Sequence, residues 1–296
     1  MHAIHTVGFI GTGIMGAPMA GHLLEAGYAL RVHNRTREKA EALLDKGAAW
    51  CDTPAEAADG ADAVFTIVGF PPDVEQVILG DDGVLAAARE GAVLCDMTTS
   101  EPALAQRIYE AAGAKGVGAL DAPVSGGDTG AREGTLAIMV GGDEADLQRL
   151  RPLLETMGET VRHVGPAGAG QHCKMVNQIL IAGTMMGLAE AFTYGRAAGL
   201  DMETVFGVVS TGAAGSAALT HLGPRVLEGD FEPGFLVEHF VKDMDVALKE
   251  AGRVRLDLPA LRLARELYGR SAEEHLNRKG TQALCKHVAE VNHISL

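Results

Sequence analysis

The fold of this protein is decided near its amino terminus by residues 6–16, which read T-V-G-F-I-G-T-G-I-M-G. The run from Thr6 to Ile10 is short, apolar and typical of a strand, and a G-x-G-x-x-G pattern follows it at once. A helical pattern then continues to Glu25, and a second strand is predicted from Ala29 to His33. This order of strand, glycine loop, helix and strand predicts an α/β unit that binds a dinucleotide.

The glycine loop is expected to hold the phosphates of that cofactor. Gly11 allows a tight turn, Gly13 lets the backbone approach a pyrophosphate, and Gly16 lets helix and strand pack closely. The phosphates would lie on the free N–H groups at the helix start. A glycine-rich turn without a ligand is the alternative. The predicted cofactor-binding residues of this loop are Gly11, Thr12, Gly13, Ile14, Met15 and Gly16.

The residues after the second strand bear on the choice between NAD and NADP. They read H-N-R-T-R from His33, without a carboxylate that could bind a ribose 2′-hydroxyl. Arg35 is placed to receive a 2′-phosphate, with Arg37 as support. We therefore predict NADP, bound with the help of Asn34, Arg35 and Thr36. NAD is the alternative if both arginines belong to a solvated helix start.

Strands and helices continue to alternate up to about residue 165. Such alternation predicts a parallel sheet, whose ligands bind beyond the carboxyl ends of the strands. We expect three segments on that edge, and within them Val68 and Gly69 as further cofactor contacts. The segments are Phe9–Gly16, Val68–Asp73 and Asp96–Ser100.

A serine and two glycines follow another predicted strand, in the stretch D-A-P-V-S-G-G from Asp121 to Gly127. Exposed peptide N–H groups in such a turn can receive a carboxylate or another oxyanion. A hairpin or a simple turn would need no ligand. The pattern alone leaves both interpretations open.

A long helix is predicted from Gly168 to Ala198, because the chain there lacks proline and is apolar on most sides. Gln171, Lys174 and Asn177 interrupt it at three-residue steps, which places them on one helical face. An unpaired buried ammonium is costly, so a lysine here indicates a cleft. The alternative is a lysine that snorkels from a half-exposed helix.

The remainder of the chain is predicted to be helical, which divides the protein into two domains. We expect a Rossmann-type α/β dinucleotide-binding domain at residues 1–165 and an all-α substrate and oligomerisation domain at 166–296, joined by the long helix. Lys242 and Asp243 form a charged pair inside one amphipathic segment of the second domain, for which a surface position is the usual explanation. The helices are predicted at Met202–Thr211, Leu219–Glu228, Val237–Ala251, Pro259–Tyr268 and Gln282–Val291.

Length and composition argue against several classes of protein. A chain of 296 residues with 47% hydrophobic content suits two globular domains. Its 25 basic residues against 39 acidic ones give a charge of −14, which disfavours nucleic acid or an anionic membrane as a partner. We expect no membrane-spanning segment, because no stretch is both long and apolar enough to cross a bilayer. The four cysteines are widely spaced, lack any C-x-x-C pair and sit among apolar residues, which predicts reduced thiols and a cytoplasmic location. The histidines lack metal-ligand spacing, so no metal site is expected.

Three motifs in this order resemble the beta-hydroxyacid dehydrogenase family, which includes 3-hydroxyisobutyrate dehydrogenase and tartronate semialdehyde reductase. They are Phe9–Ala20, Asp121–Gly127 and Gly168–Gln178, and the resemblance spans almost the whole chain. It implies that Lys174 and Asn177 are catalytic residues. It also implies that Lys242 reaches the cofactor and that Thr99 lies by the nicotinamide. The implied substrate-binding residues are Ser125, Gly126, Gly127 and Thr99.

The resemblance further implies hydride transfer between a nicotinamide cofactor and a short carbonyl compound that carries a carboxylate, with Lys174 as general acid and base. The implied substrates are of the 3-hydroxyisobutyrate, glycerate or 4-hydroxybutyrate class and their semialdehydes. Family members commonly carry a second asparagine where this chain has Gln178, and the extra methylene can reshape the substrate pocket. A related imine reductase and a non-catalytic NADP-binding sensor are the alternatives. We expect a homodimer or homotetramer, because the long apolar helices exceed what a small helical domain can bury.

Overall fold

The structure is a computed structural model, and it describes residues 4–295 apart from the side chain of Glu274. The chain divides into two compact units, of which the first ends at Lys174 and the second begins at Met175. The division falls inside the long helix. The domain boundary expected near residue 165 stays a prediction.

Nine strands form one sheet in the first unit. They are β1 (Thr6–Ile10), β2 (Ala29–His33), β3 (Ala49–Trp50), β4 (Ala63–Thr66), β5 (Val93–Asp96), β6 (Gly118–Asp121), β7 (Val124–Ser125), β8 (Ala137–Gly142) and β9 (Thr160–Gly165).

Helices flank these strands and make up the second unit. The first unit holds α1 (Gly16–Glu25), a 3₁₀ turn (Arg37–Ala40), α2 (Glu41–Leu44), α3 (Pro54–Ala58), α4 (Pro71–Leu79), α5 (Val84–Ala87), α6 (Pro102–Gly113), α7 (Gly127–Glu133) and α8 (Glu144–Met157). The long helix α9 (Ala169–Ala197) begins there and continues into the second unit. The others are α10 (Met202–Val209), α11 (Ala217–Leu227), α12 (Val237–Arg253), α13 (Pro259–Ser271), a π-helical turn (Ala272–Leu276) and α14 (Ala283–Val291).

The strand order is β3-β2-β1-β4-β5-β6-β8-β7, and β9 pairs with β8. The six strands from β3 to β6 are parallel, and their order is that of a doubly wound dinucleotide-binding sheet. The expected Rossmann-type fold followed by a helical region is confirmed. The sheet is parallel over most of its width, as predicted, and differs at one end, where β8 runs antiparallel to β6 and β7.

The central strands are buried on both faces, as parallel strands covered by helices are. Successive side chains point to opposite faces, so Phe9 and Phe65 enter one hydrophobic cluster while Ile10 and Val64 enter the other. The second unit has its own core, in which Phe240 lies edge-on to Tyr268 with ring centres 5.0 Å apart. Each unit therefore has an apolar interior of its own.

The register aligns the carboxyl ends of five strands. Ile10 is paired with both His33 and Thr66, Thr66 with Asp96, and Asp96 with Asp121. The loops that follow these residues therefore leave the sheet at one edge. The prediction that the segments after β1, β4 and β5 share this edge is confirmed.

Helix α9 corrects one expectation from the sequence. By length and composition it could cross a membrane, whereas the sequence analysis expected no such segment. The core helix of a soluble protein passes the same test, and α9 carries the buried polar residues Gln171, Lys174 and Gln178. The absence of a membrane partner stays a prediction.

Candidate active site

The three glycines of the loop after β1 meet different surroundings. Gly11 has a φ of +98°, and a Cβ there would collide with the Ile67 carbonyl oxygen. A Cβ on Gly16 would collide with the Gly11 carbonyl oxygen, whereas a Cβ on Gly13 would meet no protein atom within 4 Å. The loop is therefore tightly turned and closely packed at its ends and open at Gly13.

The open part of the loop fits a dinucleotide. The side-chain oxygen of Thr12 is buried and has no hydrogen-bond partner among residues 4–295. A buried hydroxyl without a partner calls for one from a ligand or water. Beside it, the apolar side chain of Ile14 is 52% exposed. The space over Gly13, the unpartnered Thr12 hydroxyl and the N–H groups at the start of α1 together suit phosphate oxygens.

The segment after β2 is tied to the glycine loop through Asn34. Its Oδ1 accepts a hydrogen bond from the Thr12 N–H at 3.1 Å, and its Nδ2 donates to the Thr36 carbonyl at 2.8 Å. The Arg35 side chain is 81% exposed, with Nη1 3.1 Å from Asp73 Oδ1 at the start of α4. Asn34 thus links the segment after β2 to the glycine loop, and Arg35 places a positive charge in this segment.

The other arginine of this segment is engaged elsewhere. The guanidinium carbon of Arg37 lies 5.0 Å from the centre of the Trp50 ring, as in a cation–π contact. This contact holds Arg37 against β3. Arg35 is therefore the better placed of the two to receive a phosphate.

Asp96 joins the loops after β4 and β5. Its Oδ1 accepts hydrogen bonds from Thr66 Oγ1 at 2.8 Å and from the Thr98 N–H at 3.1 Å. Thr98 Oγ1 in turn accepts from the Val68 N–H at 3.0 Å. Thr98 is buried, whereas the next residue, Thr99, is half-buried, as are Val68 and Gly69.

Lys174 is buried, with 7% of the residue exposed, and its Nζ donates to the Val124 carbonyl oxygen at 2.8 Å. The alternative of a snorkelling lysine is therefore wrong. Ser125 follows Val124 directly, so the ammonium group lies beside the serine–glycine turn. The first unit brings together Lys174 and this turn.

The serine–glycine turn connects strand β7 to helix α7. Gly126 and Gly127 have φ values of +137° and +64°, which glycine adopts without strain. Because the turn leads into a helix, it is not the tip of a hairpin, whereas a simple turn that needs no ligand stays an open alternative. Helix α7 begins at Gly127, and the first N–H groups of a helix lack acceptors within it.

Two residues that the sequence analysis did not assign to the site anchor the start of α9. Asp121 accepts hydrogen bonds from the Gly168 N–H at 2.7 Å and the Gln171 N–H at 2.8 Å. Gln171 accepts from the Ser100 N–H at 2.8 Å and donates to the Thr98 carbonyl at 2.7 Å. For Asp121, the signal in the sequence was a carboxylate at the end of an apolar strand. Burial raises the pKa of Asp121 to about 6, against the opposing effect of its two N–H donors.

The second unit contains a chain of polar contacts from Asn177 to Lys242. Asn177 Nδ2 donates to Gln178 Oε1 at 2.7 Å, and Gln178 Nε2 donates to Asp243 Oδ2 at 2.6 Å. Asp243 Oδ1 lies 3.0 Å from Lys242 Nζ. Asp243 is buried and Lys242 nearly so, which makes the expected surface position of this pair wrong. The hydrogen bond between Gln178 and Asp243 was not predicted, because nothing local in the sequence relates α9 to α12.

Two family profiles match the chain. The first, described as the NAD binding domain of 6-phosphogluconate dehydrogenase, matches residues 6–165. The second, described as NAD-binding of NADP-dependent 3-hydroxyisobutyrate dehydrogenase, matches residues 168–288. A nicotinamide dinucleotide is therefore the cofactor class of this chain.

Relatives and solved structures agree with these profiles. An Arabidopsis thaliana protein named "Probable 3-hydroxyisobutyrate dehydrogenase-like 1, mitochondrial" is 48% identical, over 98% of this chain and 87% of its own. The 2-hydroxy-3-oxopropionate reductase of Escherichia coli is 39% identical, over 90% of this chain and 91% of its own. The crystal structure of 3-hydroxyisobutyrate dehydrogenase from Salmonella typhimurium superimposes with a TM-score of 0.88 at 29% identity, over 95% of this chain and 99% of that one.

The imine reductases are more distant. An enzyme of this class from Pseudomonas sp. is 17% identical with a TM-score of 0.63, over 97% of this chain and 99% of that one, which shows a shared fold alone. By the matched profiles and the identity to its relatives, the chain belongs to the beta-hydroxyacid dehydrogenase family of NAD(P)-dependent oxidoreductases.

Proposed function

We propose that this protein interconverts a short beta-hydroxyacid and its semialdehyde, with Lys174 as the general acid and base. One observation carries the proposal: the buried ammonium group of Lys174 is hydrogen-bonded to Val124, directly before the Ser125–Gly127 turn. A proton donor and a turn suited to a carboxylate are the two groups that such a substrate needs. The names of the relatives, which refer to short acids with a hydroxyl or carbonyl group, support this class.

A bound reduced nicotinamide would supply the hydride in the reductive direction. Lys174 then gives a proton to the emerging alkoxide, and in the oxidative direction it takes the proton from the hydroxyl. Its positive charge also stabilises the negative charge that develops on the oxygen. An ammonium group has three donors, so the bond to Val124 fixes its position while it remains a proton donor.

Substrate binding is assigned to the residues around this lysine. The peptide N–H groups and hydroxyl of Ser125, Gly126 and Gly127 would hold the carboxylate, and the half-buried Thr99 would line the same edge of the sheet. Asn177 lies one helical turn beyond Lys174, where it can orient the lysine or bind the hydroxyl of the substrate. We infer a substrate of the 3-hydroxyisobutyrate, glycerate or 4-hydroxybutyrate class.

Cofactor binding is assigned to the glycine loop and its neighbours, with NADP as the preferred form. The exposed guanidinium of Arg35 at the end of β2 supports a 2′-phosphate contact. Thr99 is proposed to lie by the nicotinamide. Lys242 is proposed as a contact on the family resemblance alone. The full set is Gly11, Thr12, Gly13, Ile14, Met15, Gly16, Asn34, Arg35, Thr36, Val68, Gly69, Thr99 and Lys242.

The Lys174→Ala variant tests the function. We expect its kcat/KM for reduction of short semialdehydes to fall about 10²- to 10⁴-fold, the usual contribution of a positioned acid. The affinity for NADPH should be retained, as measured by quenching of Trp50, the only tryptophan in the sequence. Turnover close to that of the unaltered protein would contradict the assignment.

Initial rates with cyclic imines in place of semialdehydes separate this function from imine reduction. Absence of turnover across the panel of hydroxyacids and semialdehydes would instead favour a cofactor-binding sensor.

The Arg35→Ala variant tests the cofactor preference. We expect its KM for NADPH to rise about tenfold, because a charge-assisted contact with phosphate is lost, while its KM for NADH stays unchanged. Asp73→Asn is the matched control, since it also breaks the Arg35–Asp73 ion pair but keeps the guanidinium. An unaltered protein that prefers NADH would overturn the argument from Arg35.

We further propose a cytoplasmic homodimer or homotetramer. Apolar side chains along α9 remain exposed in the single chain, among them Val176 at 59%, Leu180 at 67% and Tyr194 at 73%. Light scattering of the purified protein measures the oligomeric state, and a monomeric mass would contradict the proposal.

A further inference from the structure

Asp121 is a buried carboxylate to which the proposed proton transfer assigns no part. It is the last residue of β6, and both its oxygens accept N–H groups from the start of α9. The first N–H groups of a helix lack acceptors within the helix. The negative charge also lies at the positive end of the helix dipole. Asp121 therefore caps α9 from a strand that is distant in the sequence.

The backbone around this cap is closely packed. A Cβ on Gly170 would collide with the Asp121 carbonyl oxygen, and one on Gly141 would lie 2.5 Å from Asp121 Oδ1. One turn further along α9, Lys174 reaches back to the carbonyl of Val124. The short segment 121–124 thus holds both the beginning of α9 and the ammonium group that α9 carries.

We propose that Asp121 is a positioning residue, which sets the location of the Lys174 ammonium group by holding the first turn of α9 to the end of β6. The proposal rests on the function assigned to Lys174. The N–H groups of Gly168 and Gln171 donate to different oxygens of Asp121, Oδ1 and Oδ2, so the cap uses both acceptors of the carboxylate. An asparagine would turn an NH₂ group towards one of the two donors.

Protonation of Asp121 is expected to weaken the cap. Burial and, to a smaller extent, the negative charge of Asp96 raise the pKa of this carboxyl to about 6, against the lowering effect of its N–H donors. The protonated form loses its charge and one acceptor, so kcat should fall as the pH drops below about 6. A buried charge that costs stability is typical of functional sites. The titratable groups that face Asp121 are Asp96 and Cys95 on β5. The neighbouring residues from β8 and α6 are Gly141, Ala105 and Ile108, whose side chains carry no charge.

The Asp121→Asn variant tests the proposal, and Asp62→Asn is its matched control. Asp62 also accepts two backbone N–H groups, from His5 at 2.8 Å and Thr6 at 2.9 Å, but at the amino end of β1. Both variants replace a carboxylate that has two backbone donors. Only the first of them touches α9.

We expect Asp121→Asn to lower kcat about 10- to 100-fold, the range for a small misplacement of a catalytic group. The affinity for NADPH, measured by quenching of Trp50, should remain within about threefold, since no cofactor contact is altered. The fall of kcat at acidic pH should disappear in this variant. Asp62→Asn should keep both the kcat and the pH profile of the unaltered protein.

A kcat for Asp121→Asn equal to that of Asp62→Asn, or the same acidic fall in both, would overturn the proposal. If Asp121→Asn does not fold, the pH dependence of kcat in the unaltered protein tests the proposal. A kcat that is flat between about pH 5 and 8 contradicts it, and a fall centred near pH 6 supports it. A failure of this proposal can be distinguished from a failure of the proposed function. Loss of turnover in Lys174→Ala together with full turnover in Asp121→Asn refutes only the role of Asp121.

Discussion

Gly13 is the one glycine of the loop after β1 at which a side chain would meet open space. Gly11 and Gly16 are fixed by the protein itself, since a Cβ at either would collide with a carbonyl oxygen. The sequence predicted these three roles, because the G-x-G-x-x-G pattern with its flanking strand and helix specifies local geometry. It could not reveal the unpartnered Thr12 hydroxyl or the bond from the Thr12 N–H to Asn34, which depend on residues distant in the sequence.

A pair of glycine variants separates these roles. We expect Gly13→Ala to leave the melting temperature unchanged and to weaken NADPH binding about tenfold, because its methyl group occupies the space left for phosphate. Gly16→Ala should lower the free energy of unfolding by about 1–3 kcal/mol through overpacking. Thermal unfolding and Trp50 quenching measure the two effects. The opposite pattern, a destabilised Gly13→Ala with intact binding, would refute the assignment.

At the scale of elements, helix α9 was predictable in extent but not in its contacts. Its apolar run placed it within one residue of each observed end, and the other helices of the second unit were also found. No bounds were predicted for helix α8, which contains Pro152, a residue disfavoured in helix interiors. Helix α7 begins with G-D-T-G, which is typical of a turn. The bond from Gln178 to Asp243 joins α9 to α12, and no periodicity in either helix predicts it.

The Gln178→Asn variant tests this contact and also introduces the residue that the family commonly carries there. Asparagine is one methylene shorter and cannot bond both Asn177 and Asp243. We expect the free energy of unfolding to fall by about 1–3 kcal/mol, the cost of an unpaired buried polar group, and kcat to fall as Asn177 loses its hydrogen bond to residue 178.

Gln282→Asn is the control for Gln178→Asn. This buried glutamine donates to the carbonyls of Asp230 and Glu232. The change should lower stability without altering kcat. Equal kcat values for the two variants would show that the hydrogen bonds of Gln178 have no specific effect on catalysis.

At the scale of the whole molecule, the sheet register assembles the site. It brings the ends of β1, β2, β4, β5 and β6 to one edge, and so places Asp96 and Asp121 beside one another. The sequence predicted that edge from the alternation of strands and helices. It could not predict that Asp121 would receive the start of α9, because that contact depends on how the helix returns to the sheet.

The buried carboxyl of Asp121 also makes stability depend on pH. Its pKa in the folded protein is about 6, above the ordinary 3.8, so the folded state binds the proton more tightly than the unfolded chain. Its contribution to stability is therefore full below pH 3.8 and is lost as the pH rises through 6. As the pH falls between these two values, the free energy of unfolding of the unaltered protein should rise, relative to that of Asp121→Asn, by up to about 1.4 kcal/mol per pH unit. Urea unfolding of both proteins measures the difference, and a constant difference would refute the shifted pKa.

The central claim is that Lys174 transfers the proton to the substrate oxygen. Its most direct test is the turnover of Lys174→Ala with NADPH and a short semialdehyde, measured with and without an added small alkylammonium ion. We expect turnover to be lost and to be partly restored in proportion to the concentration of the alkylammonium ion, because the added cation can occupy the vacated space and donate the proton. Turnover of Lys174→Ala close to that of the unaltered protein, without any added cation, would contradict the role of Lys174.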